Sequence, residues 1–304
     1  MTLASTNAPA ASRNRAALAL LLIGAVAISF SGIFVKISEL GPSATGFHRL
    51  FLALPLLWLW QSLEARVEHR APARPRGARD YWLLFLPGLF LAADLALWHW
   101  SIRLTTAATA TLLGNTAPIF VTLAGWLIYG HRFRPGFVLG MVVAFAGVTA
   151  LIGGVSLDPA HLLGNLMGVA TGMFYAGYIM TLKDARHRFS TAQVMSWSAV
   201  SGAGAMLVVA LVSRESLMPV TLPGFATLLG LAWISQVAGQ SMIAWSLRHL
   251  PAAFSSVSLL LNPVATALFA WALIGERLTA GQIAAGLVVL AGIAIARLYS
   301  SREG

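Results

Sequence analysis

The chain of 304 residues has no cysteine and carries little charge. Without cysteine it can form neither a disulfide scaffold nor a Cys-ligated metal site. Charged residues make up 10% of the chain, whereas a soluble domain carries about 25%. Hydrophobic residues make up 58%, and the mean hydropathy is +0.78. This balance excludes a soluble globular domain, which needs more polar surface, and a disordered chain, which has few apolar residues. It predicts a polytopic membrane protein.

Membrane spans should appear as gaps between charges, because a charge at the bilayer centre costs about 3 kcal/mol on insertion scales. About 20 apolar residues cross the hydrocarbon core as a helix. The gaps predict an all-α membrane protein with ten transmembrane helices, here called spans 1 to 10, at residues 15–37, 44–63, 80–101, 105–129, 134–153, 162–182, 190–213, 222–247, 251–274 and 279–298. Only the connection 64–79 is long, and no connection accommodates a soluble domain.

The positive charges predict the orientation. Of the 20 lysines and arginines, fifteen fall on the side of the two termini and five on the opposite side. By the positive-inside rule both termini are cytoplasmic, in the inner membrane. The net charge of +10 then reflects topology and contact with anionic lipid rather than nucleic-acid binding. An alternative is a signal peptide cleaved after Ala27, but the apolar run continues through Val35, which is the length of a full span.

The second half of the chain repeats the first. Residues 100–147 align without a gap onto residues 245–292, a shift of 145 positions. The identical pairs include Trp100/Trp245, Arg103/Arg248, Pro118/Pro263, Trp126/Trp271, Gly130/Gly275, Arg132/Arg277, Gly136/Gly281 and Gly147/Gly292. Chance in an apolar composition would match Ala and Leu, but not this set. The similarity is strong for spans 3–5 against 8–10 and weak for spans 1–2 against 6–7.

Each repeat holds five spans, and this odd number turns the second copy upside down. The predicted units are a tail 1–14, a first repeat 15–153, an outer linker 154–161, a second repeat 162–298 and a tail 299–304. Inverted repeats are typical of secondary transporters, whose substrate site lies near the midplane between the repeats. The alternative is a duplication that served only folding.

Four segments carry a resemblance to a known family: Phe47-His48-Arg49-Leu50, Ala107–Pro118, Asn262-Pro263 and the turn Gly275-Glu276-Arg277-Leu278. With ten spans in two repeats, the chain resembles the drug/metabolite transporter superfamily, EamA type. The resemblance implies export of amino acids, other metabolites or drugs, and general similarity suggests the aromatic amino acid exporter subgroup. His131 stands where the second repeat has Glu276, so no role is carried from one turn to the other.

Span 3 contains Asp94, the one acid predicted inside a span. An acid at this depth is a candidate proton carrier or anchor for a substrate ammonium. The alternative is a hydrogen-bonded structural aspartate, or one hydrated near the outer surface. Trp98 lies one turn on and shares its face, although it also fits an outer aromatic belt.

Spans 6 and 8 each present polar or aromatic groups on one face. In span 8, Trp233, Gln236 and Gln240 follow at i, i+3 and i+7. Amides at mid-bilayer avoid lipid, so this face should meet a cavity or a neighbouring helix. In span 6, Tyr175 and Tyr178 should face the interior, because the opposite ridge, of Gly164, Gly168 and Gly172, suits close helix packing.

Spans 4 and 9 are predicted to kink at Pro118 and Pro263. Each proline leaves the carbonyl four residues earlier without its helical hydrogen bond. Asn115 stands beside the first kink, and Ser258 and Asn262 beside the second. The result is either a polar patch at the midplane or a kink satisfied by its own side chains. The basic residues predicted at outer helix ends, including Arg49, should snorkel, so that their charged groups reach the interface.

The sequence therefore predicts a secondary transporter that exports small, largely apolar metabolites, best matched by aromatic and other neutral amino acids, by alternating access. The predicted site is Asp94, Trp98, Asn115, Tyr175, Tyr178, Trp233, Gln236, Gln240, Ser258 and Asn262. Neither a metal nor a cofactor is expected, since no nucleotide-binding loop and no metal-ligand spacing occurs. The predicted partners are a small-molecule substrate and the bilayer, with no nucleic acid, and a monomer is sufficient. The alternatives are export of drugs or other metabolites, or an intramembrane lipid-modifying enzyme. Export of nucleotide sugars is disfavoured, because it would require Arg or Lys in the cavity and the mid-span regions contain none.

Overall fold

A computed structural model of the chain describes residues 10–67, 75–154, 158–269, 271–272 and 278–300. These residues form fourteen α-helices, one π-helix and a 3-10 turn, and contain no strand. In chain order the helices are α1 (Ala10–Ile37), α2 (Pro42–Phe51), α3 (Leu54–Val67), α4 (Ala78–Leu104), α5 (Ala107–Gly114), α6 (Ala117–Tyr129), α7 (Pro135–Ile152), α8 (Leu162–Arg188), α9 (Thr191–Val212), α10 (Leu222–Gly230), the π-helix (Leu231–Gln240), α11 (Ser241–Leu247), α12 (Ala252–Ser258), α13 (Leu261–Phe269) and α14 (Ala280–Tyr299).

The helices combine into the ten predicted crossings. Among the described residues, nine helical stretches are long and apolar enough to cross a membrane, and they correspond to every span except span 2. Span 2 is divided into α2 and α3 at Leu52 and Ala53. Spans 4 and 9 are also divided in two, and span 8 contains the π-helix. The fold is therefore the predicted one, an all-α membrane protein of ten transmembrane helices, with four of them irregular near their middle.

The packing of the helices shows two inverted repeats. Span 3 packs against span 6, and span 8 packs against span 1 in the same way. Spans 5 and 10 pack against each other, as do spans 2 and 7. These are the pairs that a two-fold axis in the membrane plane generates when it exchanges span 1 with 6, 2 with 7, 3 with 8, 4 with 9 and 5 with 10.

Glycines allow the closest helix approaches. A Cβ placed on Gly140 of α7 would lie 2.7 Å from the carbonyl oxygen of Gly292 in α14. The ridge predicted on span 6 is confirmed: a Cβ on Gly164 would meet the backbone of Leu104 at 2.6 Å, and one on Gly168 would meet Leu113 at 2.9 Å. Small residues let backbones approach where lipid supplies no hydrophobic driving force between helices. This packing turns Tyr175 and Tyr178 toward the interior.

Carboxylates join the two repeats at both faces of the molecule. On the face away from the termini, here called the far side, Glu215 accepts a hydrogen bond of 2.8 Å from the backbone N–H of Ala44, at the start of α2. On the terminal side, Glu64 accepts from the hydroxyl of Ser190, the N-cap of α9. Spans 2 and 7 thus each place an acid at the positive end of the other's helix dipole.

Candidate functional site

A cavity of about 380 Å³ lies between the two repeats. Its walls come from spans 1 to 6 and from spans 8 and 9, and they extend to Ile152, the far-side end of α7. Of the predicted site residues, those that line it are Asp94, Trp98, Asn115, Tyr175, Gln240, Asn262 and the kink residue Pro263. The cavity therefore collects rings, amides and a carboxylate from both repeats at one place.

Aromatic rings form two walls of the cavity. Trp98 of α4 and Tyr175 of α8 are both partly accessible there. Tyr178 lies behind Tyr175, with 5.7 Å between the ring centroids, and is fully buried. Its hydroxyl donates a hydrogen bond of 3.1 Å to Oε1 of Gln240. Tyr178 is therefore placed to hold the Gln240 amide at the cavity wall rather than to line the wall itself.

The cavity contains a basic residue that the sequence reasoning assigned elsewhere. Arg49 is only 5% exposed and lines the cavity, so the prediction that it snorkels from an outer helix end is wrong. Its Nε donates a hydrogen bond of 3.0 Å to Oε1 of Gln236, and its charge attracts that of Asp94. Because α2 begins at Pro42, Arg49 lies about two turns inside the helix. The sequence did contain a signal for this position. The charge-free stretch 50–63 is too short to cross a bilayer, so span 2 had to extend back over Arg49.

Trp233 does not share a face with the two glutamines, contrary to prediction. Its side chain is 46% exposed, whereas Gln236 and Gln240 are buried. A π-helix closes its hydrogen bonds at i+5, so residues three apart diverge more around the axis than in an α-helix. Trp233 faces outward, where its indole N–H donates a hydrogen bond of 3.3 Å to the carbonyl of Leu52, at the break in span 2.

The two proline helices are broken rather than smoothly kinked. In span 4, α5 ends at Gly114 and α6 begins at Ala117, so Pro118 occupies the first turn of a new helix. That position suits proline because its missing N–H would have no helical partner there. In span 9 the break lies at Leu259 and Leu260. The prolines remove the i+4 donor of Gly114 and Leu259, and both residues line the cavity. The carbonyl of Leu259 instead accepts a hydrogen bond of 2.9 Å from the backbone N–H of Asn262.

Side chains near these breaks divide into two groups. Asn115 donates from Nδ2 to the carbonyl of Thr111 at 2.7 Å, and Oδ1 of Asn262 accepts from Thr266 at 3.2 Å, yet both asparagines line the cavity. Ser258 is fully buried, and its hydroxyl donates a hydrogen bond of 3.0 Å to the carbonyl of Phe254 in its own helix. Ser258 thus satisfies its helix, and Pro118 also stays outside the cavity lining. Of the predicted Gly275–Leu278 turn, only Leu278 falls among the described residues.

Inverted repeats around a central cavity, lined by apolar residues and a few polar ones, define the class as a secondary-transporter fold. The chain belongs to the EamA-like transporter family, whose model matches residues 15–153 and 162–298. It is 27% identical to an uncharacterized transporter of Archaeoglobus fulgidus, over 90% of this chain and 95% of that protein. It is 23% identical to the pseudopaline exporter CntI of Pseudomonas aeruginosa, over 71% of this chain and 75% of that protein. A crystal structure 17% identical in sequence superposes with a TM-score of 0.76, covering 93% of this chain and 96% of that one. The chain is therefore a multi-pass membrane transporter with a small-molecule substrate.

Proposed function

We propose that this transporter exports small, largely apolar metabolites, chiefly aromatic and other neutral amino acids, across the inner (cytoplasmic) membrane. The observation that carries the proposal is the cavity, where Trp98 and Tyr175 stand beside Asp94 and Arg49. Rings accept an aromatic side chain, and the charged groups accept the ends of an amino acid. The name of the relative CntI, an exporter, supports the outward direction.

The size and charge of the cavity support a neutral substrate. Its volume of about 380 Å³ falls at the lower end of ligand pockets, about 300–1,000 Å³, and suits one amino acid. The expectation that no Arg or Lys reaches the cavity is wrong, because Arg49 lines it. Asp94 balances that single charge, whereas a diphosphate requires an excess of cationic groups. A nucleotide sugar therefore fits the cavity less well than an amino acid.

Alternating access would work through the contacts that join the repeats at each face. On the terminal side Arg188 pairs with Asp80 at 2.5 Å, and Tyr129 donates to Asp184 at 2.9 Å. On the far side Glu39 accepts from Thr221. We infer that the repeats rock about the cavity, so that terminal-side contacts open when far-side contacts close. The exchange would carry substrate outward when its concentration is higher in the cytoplasm than outside.

Efflux from liposomes tests the proposal. Purified protein would be reconstituted in vesicles loaded with labelled phenylalanine, tryptophan, alanine or a nucleotide sugar. We expect efflux of the amino acids, fastest for the aromatic ones. Gly114→Phe should abolish it, because a Cβ at Gly114 points between Thr171 and Trp98, at 3.2 and 3.6 Å, and the ring would fill the cavity.

The matched control is Gly204→Phe, since a Cβ on Gly204 has no atom within 4 Å. This variant should transport like the wild type. Efflux of the nucleotide sugar alone, or none of the amino acids at normal protein content, would contradict the proposed substrate class.

A further inference from the structure

Two opposite charges inside the cavity have no ion-pair partner among the described residues. Arg49 and Asp94 are 5% and 9% exposed and both line the cavity. They attract each other, but the contacts of the described residues include no ion pair between them within 4 Å. Charges at this depth are normally paired or functional. A pair left apart across a cavity leaves room for a ligand that carries both charges.

The guanidinium of Arg49 has one donor engaged and others available. Arginine carries five N–H donors in a flat fork. Nε donates to Gln236, and within the described part of the chain no further acceptor is found for Nη1 or Nη2. Those atoms are absent from the fully enclosed, unpartnered groups, so they reach the cavity surface. A carboxylate matches such a fork with two parallel hydrogen bonds.

Gln236 fixes the plane of this fork. Its Oε1 accepts from Nε of Arg49, and its Nε2 is enclosed without a partner. The amide is presented by the π-helix, a distortion that often occurs at functional sites. Gln236 does not line the cavity itself, so it acts on a ligand only through Arg49, as a positioning residue.

The carboxylate of Asp94 is the counterpart of the fork. The described contacts give it no hydrogen-bond donor, and the rings of Trp98 and Tyr175 border the same space. We propose that Arg49 binds the carboxylate of the substrate and Asp94 its ammonium, so that this transporter selects molecules carrying both groups. The proposal rests on the proposed function and names the chemistry that the cavity recognises. A ligand with only one charged group would leave one buried protein charge uncompensated, which is costly at low dielectric.

Three indole ligands distinguish the contribution of the carboxylate from that of the ammonium. Tryptophan carries both groups, tryptamine lacks the carboxylate, and indole-3-propionate lacks the ammonium. Calorimetric titration of purified wild-type protein should show tryptophan bound at least about tenfold more tightly than either analogue, as expected when a charge-assisted hydrogen bond is lost. Equal binding of all three by the wild type would overturn the two-ended site.

Substitutions then assign each end. Arg49→Gln should weaken tryptophan and indole-3-propionate at least about tenfold and leave tryptamine nearly unchanged. Asp94→Asn should weaken tryptophan and tryptamine and spare indole-3-propionate. Gln236→Leu should raise the KM for tryptophan with little change in maximal rate, because it loosens Arg49 without removing it. Arg248→Gln removes an exposed positive charge outside the cavity and is the matched control.

The double variant Arg49→Gln, Asp94→Asn keeps the test valid if a single buried charge prevents folding. It removes both charges together, so we expect it to fold and to bind the three indoles with similar affinity. If this variant, or Arg49→Gln, still prefers tryptophan over tryptamine as the wild type does, the two-ended site is refuted while amino acid export stands. If wild-type liposomes export no amino acid, the proposed function itself fails.

Discussion

Removing the indole of Trp98 should abolish the preference for aromatic substrates that we propose for this transporter. The ring lines the cavity one turn beyond Asp94, so a substrate held by its charged end would bring its side chain against the indole. We choose Trp98→Leu rather than Trp98→Ala because leucine keeps an apolar side chain in the wall. The variant therefore removes chiefly the aromatic face and opens a smaller void than alanine would.

The expected size follows from the contact that is lost. An aromatic pair is worth about 0.5–1.5 kcal/mol beyond the area it buries. Phenylalanine can make that contact and alanine cannot. The ratio of phenylalanine to alanine transport should therefore fall by about 2- to 12-fold, with alanine transport close to that of the wild type.

The assay is efflux of each labelled amino acid from proteoliposomes, normalised to the protein incorporated. Trp233→Leu is the matched control, because Trp233 is exposed on the outer surface of span 8 and its removal leaves the cavity lining intact. An equal loss for phenylalanine and alanine in Trp98→Leu would refute the reasoning. So would a loss of selectivity in Trp233→Leu of the same size.

Three further predictions concern topology and packing. The chain has no cysteine, so a reagent that cannot cross membranes should label Ala160→Cys in intact cells and Ser300→Cys only after permeabilisation; the reverse pattern would contradict the orientation. Gly140→Ala should lower the free energy of unfolding by about 1–3 kcal/mol through overpacking against Gly292, measured as a lower Tm than that of Gly204→Ala, where a Cβ meets open space. Hydrogen bonds from the Thr221 hydroxyl, then from the backbone N–H groups of Thr221 and Val220, lower the pKa of Glu39 below its ordinary value of 4.5. The ionised Glu39 therefore stabilises the fold above pH 4.5, and this stabilisation is lost as the pH falls through the lowered pKa. Glu39→Gln should accordingly reduce the Tm at pH 7 and have no effect at acid pH. A Tm difference between variant and wild type that stays constant across pH would argue against a role of the carboxylate.

The parts of the fold that the bilayer dictates were predictable. A charge at mid-membrane is costly, so the ten spans appear as charge gaps. The repeat follows from identical pairs such as Trp100/Trp245. Gly24 of span 1 packs on Gly239 of span 8, and Gly168 of span 6 packs on Leu113 of span 4 and Ser101 of span 3. Close helix contact favours small residues such as glycine, so this feature can be predicted from the sequence.

The chemistry of the cavity was predictable only in part. Asp94, Trp98 and Tyr175 were found by depth and helical spacing, and all three line the cavity. Arg49 was missed because a charge near a predicted span end was read as snorkelling, and the start of α2 at Pro42 changes its depth. Trp233 was misplaced because helical spacing assumes 3.6 residues per turn, and nothing in the sequence signals the wider π-helix.

The missed features have a common origin in the asymmetry between the repeats. The breaks in spans 4 and 9 occur in both copies, whereas the break in span 2 and the π-helix of span 8 have no counterpart in span 7 or span 3, which run as the single helices α9 and α4. These two irregular segments meet each other, through Trp233 to the carbonyl of Leu52 and through Arg49 to Gln236.

Asp94 likewise has no acidic counterpart in the second repeat. The residue 145 positions further on is Gly239, which is used for close packing against Ile28 and Gly24 of span 1. A shared scaffold needs the features that both repeats retain, such as paired glycines and prolines. The substrate that we propose has two different ends and therefore requires groups in which the two repeats differ. Both buried charges of the cavity belong to the first repeat, on spans 2 and 3, and the second repeat contributes the amide that orients one of them. The duplication thus accounts for the framework of the transporter, and the divergence of its copies for the charges inside it.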